Sequence, residues 1–180
     1  MRLFFLGKYF IMNEIRKTPT EISQVVTADD NVNWTNLEAI KRPDGYALTD
    51  KELYYISGVT NVSYRNSAAQ VWVTDFKFEN LGTILGIEVQ LVTQRLSRIQ
   101  DKLISLCYQG QIIGDNKFNL KAENDQTYGG NNDLWGRSWT VEEIQDPSFG
   151  VVIELQPHLN YPHSELGLID FIAIKIYHDS

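Results

Sequence analysis

The chain has 180 residues, 43% of them apolar, 12% aromatic and 22% charged, which suits one packed domain and excludes wholesale disorder. Its 16 Lys+Arg against 23 Asp+Glu leave a formal net charge of −7. With no basic run to offset that balance, phosphate backbones and anionic headgroups are repelled, so neither nucleic acid nor membrane is an expected partner.

The first dozen residues, Met1-Arg-Leu-Phe-Phe-Leu-Gly-Lys-Tyr-Phe-Ile-Met12, form the most apolar stretch. They are too few to span a bilayer, which takes about 20 residues. Residues 1–20 read as an arm or extension ahead of a single β-sandwich domain, 21–180. Two origins fit the apolar run: an arm or strand that must be buried, for instance on a neighbouring subunit, or residues upstream of a start at Met12, which the polar sequence after Met12 favours.

Period-two alternation then dominates, the mark of strands with one buried face. In Val71-Trp-Val-Thr-Asp-Phe-Lys-Phe78 it groups Trp72, Thr74, Phe76 and Phe78 on one side. In Leu85-Gly-Ile-Glu-Val-Gln-Leu91 it groups Leu85, Ile87, Val89 and Leu91. Glu79-Asn-Leu-Gly82 suits a turn between them, so the two strands are expected to form a hairpin or to face each other across the sandwich. Further strands are expected at Tyr46–Leu48, Leu53–Ile56, Val59–Tyr64, Lys102–Tyr108 and Phe149–Leu155. The single cysteine, Cys107, lies in one of these and reads as a small core residue, which leaves the fold without a disulfide.

Lys121–Asp133 is polar and Gly-rich and reads as a long exposed loop. Beyond it, Thr140-Val-Glu-Glu143 has the capping-box pattern for a short helical turn near 140–145, which Pro147 prevents from continuing. Trp135 and Trp139 are expected to close one end of the core, while Gly136 and Gly150 allow close backbone approaches. The last run, Leu168–Tyr177, places Ile172, Ile174 and Ile176 on one face and Phe171, Ala173, Lys175 and Tyr177 on the other. Asp170 interrupts it and would need donors, which the backbone N–H groups of the Trp135–Trp139 corner would supply. The sum is an all-β, antiparallel β-sandwich.

Catalytic patterns are missing from the sequence. There is no Gly-x-Ser-x-Gly elbow, no phosphate-binding glycine loop and no His-Glu-x-x-His motif. His158 and His163 flank Pro162 without helical spacing and read as loop residues, and His178 reads as part of a frayed end. The chain is therefore expected to be non-enzymatic, with no catalytic residue, cofactor or metal.

Asp133-Leu-Trp-Gly-Arg-Ser-Trp-Thr-Val-Glu-Glu-Ile-Gln-Asp-Pro-Ser-Phe-Gly-Val151, followed by Leu168-Ile-Asp-Phe-Ile-Ala-Ile-Lys-Ile-Tyr177, resembles a pattern of tailed-phage structural proteins. Trp34-Thr-Asn36, Arg42-Pro-Asp-Gly-Tyr-Ala47, Asp75-Phe-Lys-Phe78 and Ile84-Leu-Gly-Ile-Glu-Val89 extend the likeness across about residues 33–177, in the same order. The resemblance implies a jelly-roll-like sandwich in a virion, assembled in the bacterial host cytoplasm: a head decoration, collar, fibre-base or tail component. Its partners would be other virion proteins and further copies of itself. Its motif residues are Trp135, Gly136, Trp139, Thr140, Glu143, Pro147, Phe149, Gly150 and Asp170, and no catalytic role comes with them. The stretch Gln156–Leu166 departs from the pattern and reads as an insertion with its own contacts. The alternative is a carbohydrate- or receptor-binding module, with Tyr128, Trp135 and Tyr161 as glycan contacts.

Overall fold

The computed structural model describes residues 12–28, 31–43, 45–57, 63–93, 99–119, 125–158 and 163–179, apart from the side chains of 55–57, 63–65 and 163–164. The chain opens with β1 (Met12–Lys17) and β2 (Glu21–Val25), then the short β3 (Asn31–Val32) and β4 (Trp34–Thr35). A 3-10 turn at Leu37–Lys41 leads to β5 (Ala47–Thr49), β6 (Leu53–Ser57) and β7 (Ser63–Arg65). Next come β8 (Ser67–Ala68), β9 (Gln70–Thr74), β10 (Ile84–Val92), β11 (Ile99–Tyr108) and β12 (Gln111–Ile113). β13 (Asp125–Gly130) precedes the helical turn α1 (Val141–Gln145) and β14 (Gly150–Pro157). The last strands are β15 (His163–Glu165), β16 (Leu168–Ile169) and β17 (Phe171–Asp179).

Two antiparallel sheets form the body, in the orders β1-β17-β10-β13 and β12-β11-β14-β9-β2. They face each other: the Tyr128 hydroxyl of the first sheet donates to Asp101 Oδ2 of the second. Between them lies one core, to which Ile87, Val89, Leu91, Ile172, Ile174 and Ile176 contribute from one side and Val71, Val73, Ile104, Leu106, Val151, Ile153 and Leu155 from the other. Burying each of the three β17 isoleucines contributes about 1.5–3 kcal/mol. The remaining short strands make small sheets, β15-β6-β7 and β16-β5-β4, with a parallel β3-β8 pair.

The C-terminal strand is covered on both faces. Phe171 and Tyr177 sit under the Arg16 guanidinium and the Lys175 ammonium, at 5.1 and 5.5 Å from the ring centroids. Lys175 lies 3.5 Å from Glu88 and 3.6 Å from Glu14, and Tyr177 donates to Glu88 at 2.8 Å. Arg16 from β1 and Lys175 from β17 itself thus cover apolar surface with their stems while their charges stay near water. His178, expected at a frayed end, is buried and paired with Ile84 and Asn13, its Nδ1 accepting from Gly82 N–H at 3.1 Å.

Among the described residues alternation found most of the long strands but not always the right face; of the expected Val59–Tyr64, residues 59–62 lie outside the described residues and 63–64 fall in β7. β10 has an irregular register between Ile84 and Gly86, so Ile84 is buried in place of Leu85. β9 ends at Thr74, and its core residues are Val71 and Val73, with Trp72 half-buried on the opposite face. Phe76 and Phe78 reach the core because Asp75 (φ 59°) and Lys77 (φ 54°) are left-handed, which replaces strand geometry with a tighter alternation. β9 and β10 lie in different sheets, so of the two expected arrangements the hairpin does not occur.

The larger correction concerns the polar stretch Lys121–Asp133. Its residues 125–130 are not loop but β13, which pairs with β10 from Val92↔Asp125 to Ile87↔Gly130. Polar residues point inward there because Gln126 and Tyr128 bond within the interior. Of the expected arm 1–20, Met12–Lys17 is paired along β17 as β1, and residues 1–11 lie outside the described residues.

Candidate functional site: the tryptophan corner and its polar neighbours

The motif residues converge on one corner. Asp133 Oδ1 accepts from Trp135 N–H at 2.9 Å, an Asx-type turn. Trp135 (φ 57°) and Gly136 (φ 80°) are both left-handed, so the chain reverses there. This drives the Trp135 side chain fully into the core, where its Nε1 donates to the Ile87 carbonyl at 2.9 Å. The Ile87 N–H in turn donates to the Asp133 carbonyl at 2.9 Å. Both backbone groups of one central-strand residue are thus held by the corner.

The rest of the motif locks that arrangement. Trp139 donates from Nε1 to the Leu134 carbonyl at 3.0 Å and packs edge-on against Phe149 at 5.4 Å. The capping box forms as expected: Glu143 N–H donates to Thr140 Oγ1 at 3.2 Å, and Thr140 N–H donates to Glu143 Oε2 at 3.0 Å. Arg137 lies over the Trp139 ring at 4.3 Å and pairs with Glu143 at 2.6 Å. Pro147 occupies an exposed turn in which Asp146 Oδ1 accepts from Ser148 N–H and Oγ at 2.8 and 2.6 Å. Gly150 brings β14 so close to β9 that a Cβ there would lie 1.9 Å from the Val73 carbonyl oxygen.

Asp170 takes no part in the corner. It precedes β17 beside Val92, whose carbonyl accepts its N–H at 2.9 Å, whereas the corner sits at Ile87, five residues farther along β10. Asp133 does the work expected of Asp170. The pattern Asp-x-Trp-Gly carried that signal, since Asp commonly bonds the N–H two residues on.

Burial first opposes the charge on Asp133 and on Glu143. Lys117 and the Trp135 N–H outweigh it at Asp133, and the Thr140 N–H and Arg137 outweigh it at Glu143. Both carboxyls therefore titrate below their ordinary 3.8 and 4.5, as does Asp146 through its Ser148 hydroxyl and N–H. These groups hold protons less readily folded than unfolded, so their stabilisation is complete at neutral pH and is lost as pH falls below about 4. Urea midpoints are expected to drop between pH 7 and pH 3, and Asp133→Asn combined with Asp146→Asn should flatten that drop. An unchanged slope would show that other carboxylates govern acid unfolding.

Two polar clusters went unnoticed in the sequence. On the outward face of the second sheet, Glu154 is 3% exposed, and Lys102 Nζ (2.5 Å), Ser67 Oγ (2.9 Å) and Gln70 Nε2 (3.2 Å) donate to its carboxylate. Asn31 Nδ2 donates to Ser67 Oγ at 2.9 Å. A charge in the apolar run Gly150–Leu155 was the available signal. Its partners come from β8, β9 and β11, which no spacing rule links. Between the sheets, Tyr128 bridges Asp101 and Gln126. Burial pushes the Cys107 thiol up to about 12, which keeps it protonated and unreactive at neutral pH.

The burial of Trp135 and Tyr128 corrects the expected glycan contacts. Stacking a sugar requires an exposed ring face, and these rings are 0% and 5% exposed, with their polar atoms engaged internally. Tyr161 lies outside the described residues. Among the described residues no three His, Cys, Asp or Glu gather as a metal site, and no helix is long and apolar enough to cross a membrane. No protein-family model, curated protein or solved structure matches this chain.

Proposed function

We propose that this protein is a non-enzymatic structural component of a tailed-phage virion, a head decoration, collar, fibre-base or tail element that works through protein–protein assembly. The observation that carries the reading is the corner at Asp133–Val151. The residues that resemble the phage pattern meet there, and their polar groups bond one another and the Ile87 backbone. A motif used in this way specifies a rigid scaffold whose outer surfaces are left for docking. The jelly-roll-like form belongs to the same reading. It is supported by β1 lying beside β17 and by successive long strands that mostly alternate between the two sheets.

Partners on this reading are other virion proteins and further copies of the chain, met in the bacterial host cytoplasm during assembly. Mass spectrometry of purified particles is expected to find the protein at a fixed ratio to the other virion proteins. Absence from particles that carry its gene would overturn the proposal.

A further inference from the structure

We propose that the outer face of the β12-β11-β14-β9-β2 sheet binds a neutral glycan, with Trp72 as the ring on which a pyranose stacks. The chain has four tryptophans, and three are core residues: Trp34, Trp135 and Trp139 are 4%, 0% and 6% exposed. Each of the three donates from Nε1 to a backbone carbonyl, that of Ala69, Ile87 or Leu134. Trp72 differs on both counts. It is half-buried on the face opposite Val71 and Val73, and its Nε1 donates to a side chain, Gln70 Oε1, at 3.3 Å. Among the described residues no ring stacks on Trp72 and no cation lies over it.

Strand register surrounds the indole with polar groups. Ser23 on β2 and Val152 on β14 lie directly opposite Trp72, and the pairs Glu21↔Thr74 and Val25↔Gln70 flank it on the same face. Glu21, Ser23 and Val25 are exposed and Thr74 is half-buried, so of the neighbours that solvent reaches only Val25 is apolar. Among the described residues the side chains of Glu21, Ser23 and Thr74 make no hydrogen bond, which leaves them to a ligand. Behind the ring, Gln70 Nε2 donates to Glu154 Oε2 at 3.2 Å, and Lys102 Nζ and Ser67 Oγ donate to Glu154 Oε1 at 2.5 and 2.9 Å. The indole is thus tethered to a buried network, which holds a recognition ring in place before ligand arrives. Lys102 Nζ also donates to Ser67 Oγ at 3.3 Å, and its side chain is 42% exposed, so one of its three N–H groups remains for a hydroxyl.

This combination fits a sugar. A pyranose has an apolar face of C–H groups and a rim of hydroxyls. The weakly positive C–H groups meet the negative face of the indole, and the rim finds acceptors and donors in Glu21, Ser23, Thr74 and Lys102. The core of a protein-docking site would instead gather aromatic and apolar side chains and few charges. The formal −7 and the carboxylate of Glu21 near the ring repel acidic sugars, so the ligand is neutral.

A glycan array carrying neutral and acidic oligosaccharides, probed with the full chain, makes the first test, and a neutral glycan is expected to bind. That glycan is then titrated into nitrogen-15-labelled protein, where of the four indole N–H signals only that of Trp72 should move. Trp72→Tyr identifies the signal by its loss and, keeping a ring, should retain most of the binding. Trp72→Leu keeps an apolar side chain beside Val152 but has no ring, and should weaken binding at least about tenfold with unchanged far-ultraviolet circular dichroism. An array without a neutral hit, a titration that moves another indole instead, or a folded Trp72→Leu that binds as the parent does would each overturn the site. If Trp72→Leu does not fold, the indole signals decide. None of these outcomes depends on the virion proposal, which rests on particle composition.

Discussion

Trp135→Ala is expected to lower the melting temperature by about 6–20 °C, the largest effect of any single truncation at the corner. Removing a fully buried aromatic side chain costs about 3–5 kcal/mol, and a domain of this length loses about 2–4 °C per kcal/mol. The indole is fully buried in the core and also donates to Ile87 in the central strand β10. Trp135→Phe separates the two contributions. It keeps most of the packing but leaves the Ile87 carbonyl without that donor, a loss of about 1–3 kcal/mol. Calorimetry of both variants checks this, and an alanine variant melting within 2 °C of the parent would remove the corner from its central place.

Gly150→Ala should be nearly as damaging, although it adds only a methyl group. The new Cβ would lie 1.9 Å from the Val73 carbonyl oxygen and 2.9 Å from Thr74 Cα, and both are backbone atoms of the neighbouring strand. Relief requires β14 and β9 to separate at Gly150↔Thr74, which loosens the middle of the five-stranded sheet. Overpacking of this kind costs about 1–3 kcal/mol and at times more. Gly130→Ala is the matched control, since a Cβ there meets nothing within 4 Å and the residue has no left-handed backbone. Equal melting temperatures for the two alanine variants would contradict the close approach.

The corner was partly legible before any coordinates. Thr140 and Glu143 announce a capping box because both partners lie within one helical turn, and the structure forms it. Pro147 marks the turn for the same local reason, and both Trp135 and Trp139 are buried in the core. Asp170 was misassigned because its neighbours in space are fixed by how far β17 runs along β10, a quantity that no local pattern encodes. Glu154 with Lys102, and Asp101 with Tyr128, were invisible for the same reason, since their partners are 52 and 27 residues apart.

By itself the sequence determined an all-β chain with its main strands in place, because side chains on a strand alternate between faces and burial of one face imprints a period of two. Only the tertiary structure decided that residues 125–130 are an edge strand, that Ile84 is buried in place of Leu85, and that Phe76 and Phe78 reach the core through two left-handed residues. Each of these depends on a partner strand, a bulge or a backbone reversal. Those features are set when distant segments meet, and they leave the local alternation of residues unchanged or misleading.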